Sequence, residues 1–115
     1  MPVLTHNGRH KPTFYKDPDA QLDYWFTWGD WLTATETITD VEFVVSPTSF
    51  FTVEDDTLSD DSEVIDGVTY TDLKGALISG GTAGETGELT CRITTSDGGI
   101  VRIEDRTIKI KVKDH

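Results

Sequence analysis

A chain of 115 residues suffices for one domain with one core, and three Trp, three Tyr and five Phe at 36% hydrophobic content make that core small and aromatic. A formal net charge of −11, a single cysteine and no apolar run approaching the roughly 20 residues of a membrane span argue against nucleic-acid binding, an internal disulfide and membrane insertion. The charge is partitioned: residues 1–16 hold Arg9, Lys11 and Lys16 without an acid, fifteen Asp or Glu and no Lys or Arg occupy Asp17 to Asp72, and residues 73–115 set seven basic against six acidic.

Residues 1–21 contain Pro2, Pro12, Pro18, Asn7 and Gly8 with little periodicity, which predicts an extended basic arm, and residues 22–115 form the folded domain. The arm lacks the apolar segment of a secretory signal, so the expected site of synthesis is a reducing cytoplasm. Leu22, Tyr24, Phe26 and Trp28 alternate with Asp23, Trp25 and Thr27, the period-two signature of a strand that seeds a core. A second strand is expected from Ile38 to Val45, ended by Ser46-Pro47, and a short one at Phe51 to Val53. The run EDDTLSDDSE at 54–63 is poor in apolar residues and reads as a solvated loop.

Asp66-Gly67 between Val64-Ile65 and Val68-Tyr70 marks a tight two-residue hairpin. Strands at Ala76 to Ile78, 86–95 and 100–112 complete a set of about seven. In the last, Val101 and Ile103 have odd parity while Ile108, Ile110 and Val112 have even parity, so a β-bulge between Glu104 and Arg106 is expected. No segment carries a clean helical period. The fold class is all-β, an antiparallel β-sandwich.

The segments KDPDAQLDYWFTWGDWL at 16–32, SGGTAGETGELTCRITTSDG beginning at Ser79, and DRTIKIKV ending at Val112 resemble small immunoglobulin-like proteins of tailed bacteriophages described as fibre-tail adaptors. That likeness covers roughly half of the chain. It implies an immunoglobulin-like sandwich and a structural virion component, made in the host bacterial cytoplasm, that joins a tail or head-tail connector to fibres or to its own neighbours. Gly87-Glu88 stands where the likeness would place an aromatic and a Thr, which predicts weaker packing at the start of that strand.

The residues carry little chemistry. The only histidines, His6, His10 and His115, sit near the termini, so a Ser or Cys nucleophile with a positioned base is not expected, and no enzyme activity is. Cys91 has the inward parity of its strand and reads as a buried thiol. Asp55, Asp56, Asp60, Asp61 and Glu63 offer oxygen ligands without the spacing or glycine of a calcium loop, and no cofactor or metal is expected. Lys109, Lys111 and Lys113 share one strand face and read first as protection of an outer strand.

The expected contacts are with other virion proteins and with copies of the chain in a ring, through Arg9, Lys11, Tyr15 and Lys16 of the arm laid along an adjacent body. Trp28 is expected in the core, whereas Trp25 and Trp31 divide between internal packing and a partner contact. The alternative is a surface-displayed module that uses Trp25 and Trp31 to hold host carbohydrate or protein.

Overall fold

A computed structural model describes residues 3–4, 13–29, 31–65 and 67–113, apart from the side chains at 3, 4, 63, 65 and 68. Among the described residues there are eight strands and no helix: β1 Val3–Leu4, β2 Thr13–Lys16, β3 Leu22–Thr27, β4 Thr37–Ser46, β5 Phe51–Ile65, β6 Val68–Gly80, β7 Thr86–Asp97 and β8 Ile100–Val112. They form two four-stranded sheets, in the orders β1-β3-β6-β5 and β2-β8-β7-β4. Setting β3, β6 and β5 against β4, β7 and β8 is the immunoglobulin-like partition of a sandwich.

The core forms where the alternating strands of the two sheets face each other. Tyr24, Phe26 and Trp28 in and just after β3, Ala76 and Ile78 of β6, and Phe51 of β5 meet Leu89, Cys91 and Ile93 of β7 and Ile108, Ile110 and Val112 of β8. Each large apolar side chain buried in this way contributes about 1.5–3 kcal/mol, which is what holds two otherwise separate sheets together. Aromatic contacts stitch across the gap: Phe14 of β2 meets Tyr24 edge-on at 5.9 Å and Phe43 of β4 meets Phe26 at 6.0 Å.

Four sequence expectations change. The acidic run at 54–63 is not a loop but the middle of β5, paired antiparallel with β6 through register shifts at Val53/Asp55 and Asp55/Leu58. A strand at a sheet edge needs backbone partners rather than an apolar face, and its charged side chains stay in water, so hydropathy alone misreads it. At the shift, Asp55 accepts hydrogen bonds from Thr57 N at 2.8 Å and Thr57 Oγ1 at 2.6 Å, which occupies polar groups the ladder leaves out. The tight hairpin is present as Ile65 opposite Val68 with Gly67 at φ 79°, while Asp66 lies outside the described residues.

The expected bulge in β8 is absent, because β7 and β8 pair in unbroken register from Thr86 opposite Lys111 to Asp97 opposite Ile100. The parity change is real but is resolved otherwise: Val101 and Ile103 face solvent, and the buried Arg106 takes the inward position. At the start of β7, Gly87 is buried against the rings of Phe50 and Phe51, which pack edge-to-face at 4.6 Å. The aromatic that the family likeness would place on β7 is thus supplied from the segment entering β5, so the site is filled.

The last change concerns the arm. Thr13–Lys16 pairs parallel to β8 from Thr13 opposite Lys109 to Lys16 opposite Val112, and Val3–Leu4 pairs parallel to β3. Sheet structure therefore begins well before residue 22, and these two pairings are parallel where the sequence pattern is antiparallel. Phe14 is the reason for the first: its inward ring has a place in the core that a detached arm would forfeit.

Candidate functional site

The two ends of the sandwich differ in chemistry. At one end, the loop between β3 and β4 and the hairpin joining β7 to β8 are tied by a ladder of cations and indoles. The Arg106 guanidinium lies over Trp28 at 4.5 Å from the ring centroid and Nη1 donates to Thr27 O at 2.7 Å. Trp28 meets Trp31 edge-on at 5.8 Å, and Arg102 covers the ring of Trp31 at 3.9 Å. Stacked cations of this kind gain about 0.5–1 kcal/mol when exposed and about 2 when desolvated.

Arg102 also makes a two-pronged contact with Glu36, its Nε donating to Oε2 at 2.7 Å and Nη2 to Oε1. The Glu36 side chain is 1% exposed and accepts further bonds from Thr95 Oγ1 and, at 3.2 Å, Thr33 N. The bonds from Arg102 and Thr95, against the opposing cost of burial, hold the carboxyl down to about 2 from an ordinary 4.5. Asp97, in the β7–β8 hairpin, accepts from Thr35 Oγ1 at 2.8 Å and Thr33 Oγ1 at 3.2 Å. Two independent clasps therefore fasten the loop to the hairpin, and beside them Ile100, Val101 and Ile103 are 67%, 63% and 64% exposed. Sequence reasoning missed the Glu36–Arg102 pair, since 66 residues separate its partners; one of two acids in a loop, Asp30 and Glu36, is too weak a signal to find it.

At the other end, on the outer face of the β2-β8-β7-β4 sheet, a recess is lined by Tyr15, Pro47, Glu88, Lys109 and Lys111 among others. Tyr15 is 59% exposed, and Lys113 Nζ lies 5.6 Å from its ring centroid. The β2–β8 register explains the cluster, because Tyr15 sits opposite Lys111 and the alternate residues of β8 are lysines.

The predicted contact residues fare differently. Arg9 and Lys11 lie outside the described residues. Tyr15 is exposed as a contact residue must be. Lys16 is buried, with Nζ donating to Gly80 O at 2.8 Å and Asp17 O at 2.9 Å, so it serves the fold of its own chain; burial lowers its pKa while Asp17 and Asp19 pull it back up. Trp25 is half-buried on the outer face of the β1-β3-β6-β5 sheet, its Nε1 donating to Asp23 Oδ2 at 2.6 Å and its ring lying so close to Gly75 that a Cβ there would be 2.7 Å from Cδ2. Trp31 is half-buried in the ladder. Cys91 is buried, and burial pushes its thiol up to about 12 against the opposing pull of Trp28 and Arg106. Among the described residues no group of three or more His, Cys, Asp or Glu is arranged to hold a metal, and no helix is long and apolar enough to cross a membrane.

The family described as podophage GP4 fiber-tail adaptor protein gp77 matches residues 16–111. The chain belongs to this fibre-tail adaptor family. No curated protein matches it. The match runs from the last residue of β2 almost to the end of β8, so the adaptor family is defined by the sandwich itself. As a fibre-tail adaptor of a tailed phage, the protein is a structural virion component, and contact with other virion proteins is its work.

Proposed function

We propose that this adaptor connects the phage tail, at the connector, to fibres or to neighbouring subunits, and does so as a ring of copies in which the segment of the basic arm that carries Arg9 and Lys11, between the two strands that pair within its own chain, meets the acidic body of the next. The observation that carries this reading is the charge division: Arg9 and Lys11 in a segment free of acids, against a body whose residues 17–72 hold every one of their fifteen charges as carboxylates. Complementary charge of this kind steers copies together and selects the heterologous contact from which closed rings are built. Tyr15 extends the contact at the root of the arm, where it is anchored by β2. Lys16 has no part in it, being engaged inside its own chain. The same negative body disfavours nucleic acid as a partner.

A carbohydrate platform is the weaker reading, because Trp25 has its indole N–H on Asp23 and Trp31 has Arg102 across its ring. Replacing Arg9→Glu and Lys11→Glu in the full chain tests the arm. Assembly with itself, followed by sedimentation, should fall steeply and become insensitive to salt while the circular dichroism spectrum is unchanged. Wild-type assembly by this variant would refute the arm as the joint.

A further inference from the structure

A second complementary pair of surfaces lies wholly within the sandwich. The β5–β6 hairpin outruns its sheet: β3 pairs with β6 over Leu73 to Ile78 and the N–H of Gly29 still reaches Thr71 O at 3.1 Å, so the hairpin from Glu63 opposite Tyr70 to its turn after Ile65 has no third strand among the described residues. Of the β5 acids, Asp60 opposite Leu73 and the neighbouring Asp61 adjoin this overhang, Asp56 lies mid-strand, and Glu54, which accepts from Ser79 Oγ at 2.7 Å, lies towards the other end; β5 holds no Lys or Arg, and Val64 near the tip is 63% exposed. The lysine recess is at the opposite end of the molecule, since Lys16, neighbouring it on β2, bonds to Gly80 at the far end of β6. The molecule is 47 Å along its longest axis.

We propose that the recess formed by Tyr15, Pro47, Lys109 and Lys111, flanked by Lys113, is the socket for the acidic β5–β6 ribbon of a second copy of this chain. Three features fit that occupant. The net signs are opposite: Lys109, Lys111 and Lys113 outnumber the one carboxylate of the recess, Glu88 opposite Lys109, and face an acidic ribbon. Among the described side chains the ribbon offers the exposed apolar Val64 and the recess the exposed ring of Tyr15, so the contact has an apolar centre within a charged rim. The two surfaces sit at opposite ends of one rigid sandwich, so every copy carries both plug and socket, and a contact between them is head-to-tail, the geometry that generates a ring when the rotation closes. Isolated exposed ion pairs are weak, and the combination of several with the apolar contact and with the arm gives the contact its strength. The inference rests on the ring reading above but names a different joint.

The test is sedimentation velocity of the full chain over a concentration series at low and at high salt. Two variants are compared with wild type: a reversed socket, Lys109→Glu with Lys111→Glu and Lys113→Glu, and a reversed ribbon, Asp56→Lys with Asp61→Lys. All five side chains are exposed, so thermal melting should stay close to wild type. Each variant alone should associate at least about tenfold more weakly than wild type, a 1.4 kcal/mol change. An equimolar mixture should recover association, because each reversed surface then finds its opposite on the other variant. Unchanged association of either variant, or no recovery in the mixture, overturns the proposal. Loss of association in R9E/K11E with retention in the reversed socket would overturn the socket and leave the arm standing; the converse would do the opposite. A wild-type chain that is monomeric throughout would overturn both.

Discussion

Gly87→Ala puts two effects in direct opposition. Replacing glycine by alanine in an extended strand restricts the unfolded chain and by itself stabilises by about 0.4–1 kcal/mol. At this position the new Cβ would lie 2.5 Å from Phe51 Cε2 and closer still to Phe50 Cδ2. Carbon atoms prefer roughly 3.5–4.0 Å, so both rings must move by about 1 Å. They have little room, since they pack edge-to-face at 4.6 Å and Phe51 is itself 3% exposed in the core. Overpacking of this kind costs about 1–3 kcal/mol and outweighs the entropic gain, leaving a net loss of about 0.5–2 kcal/mol. The melting temperature should fall by about 4–8 °C for each kcal/mol lost. Urea unfolding followed by tryptophan fluorescence measures the change, with the midpoint moving and the slope constant. Adding Phe50→Leu should recover part of the loss by making room. A Gly87→Ala protein as stable as wild type or more so would refute the claim that the two phenylalanines fill this site.

Three further outcomes follow from buried polar groups. The carboxyl of Glu36 is held at about 2 in the folded state, below its ordinary 4.5, so the stability it contributes is complete above about pH 4.5 and is lost as pH falls toward 2; Glu36→Gln should be less stable at neutral pH and flatter across that interval in acid melts, and parallel curves for the two proteins would contradict it. Lys16→Met removes the ammonium that donates to the Gly80 carbonyl, and one of two donors to the Asp17 carbonyl, which keeps Ala20 N; it should cost about 1–3 kcal/mol in denaturant melts while leaving association intact, and weakened association at unchanged stability would restore Lys16 as a contact residue. Cys91, with its thiol pushed up to about 12, should resist a thiol-reactive dye in native buffer and react promptly in urea; rapid native labelling would show that the core opens far more easily than its burial implies.

What the linear pattern determines here is whatever depends on a strand burying one face. Leu22 to Trp28, Leu89 to Ile93 and Ile108 to Val112 alternate because water lies on one side and a core on the other, so the sandwich, its aromatic interior, the inward Cys91 and the adaptor likeness were legible in residue order. Tertiary structure decided everything that depends on a distant partner. Strand β5 exists because β6 offers it a backbone ladder, a gain that leaves no hydropathy signal in EDDTLSDDSE. Thr13–Lys16 of the arm joins a sheet because Phe14 finds a place beside Tyr24. Arg106 faces inward without a bulge because Trp28 and the Thr27 carbonyl receive its charge, and Lys16 turns from a contact residue into a tie because Gly80, 64 residues away, comes to meet it. Alternation is a local consequence of the pleat, whereas the partner of a buried charge is set only when the two sheets close.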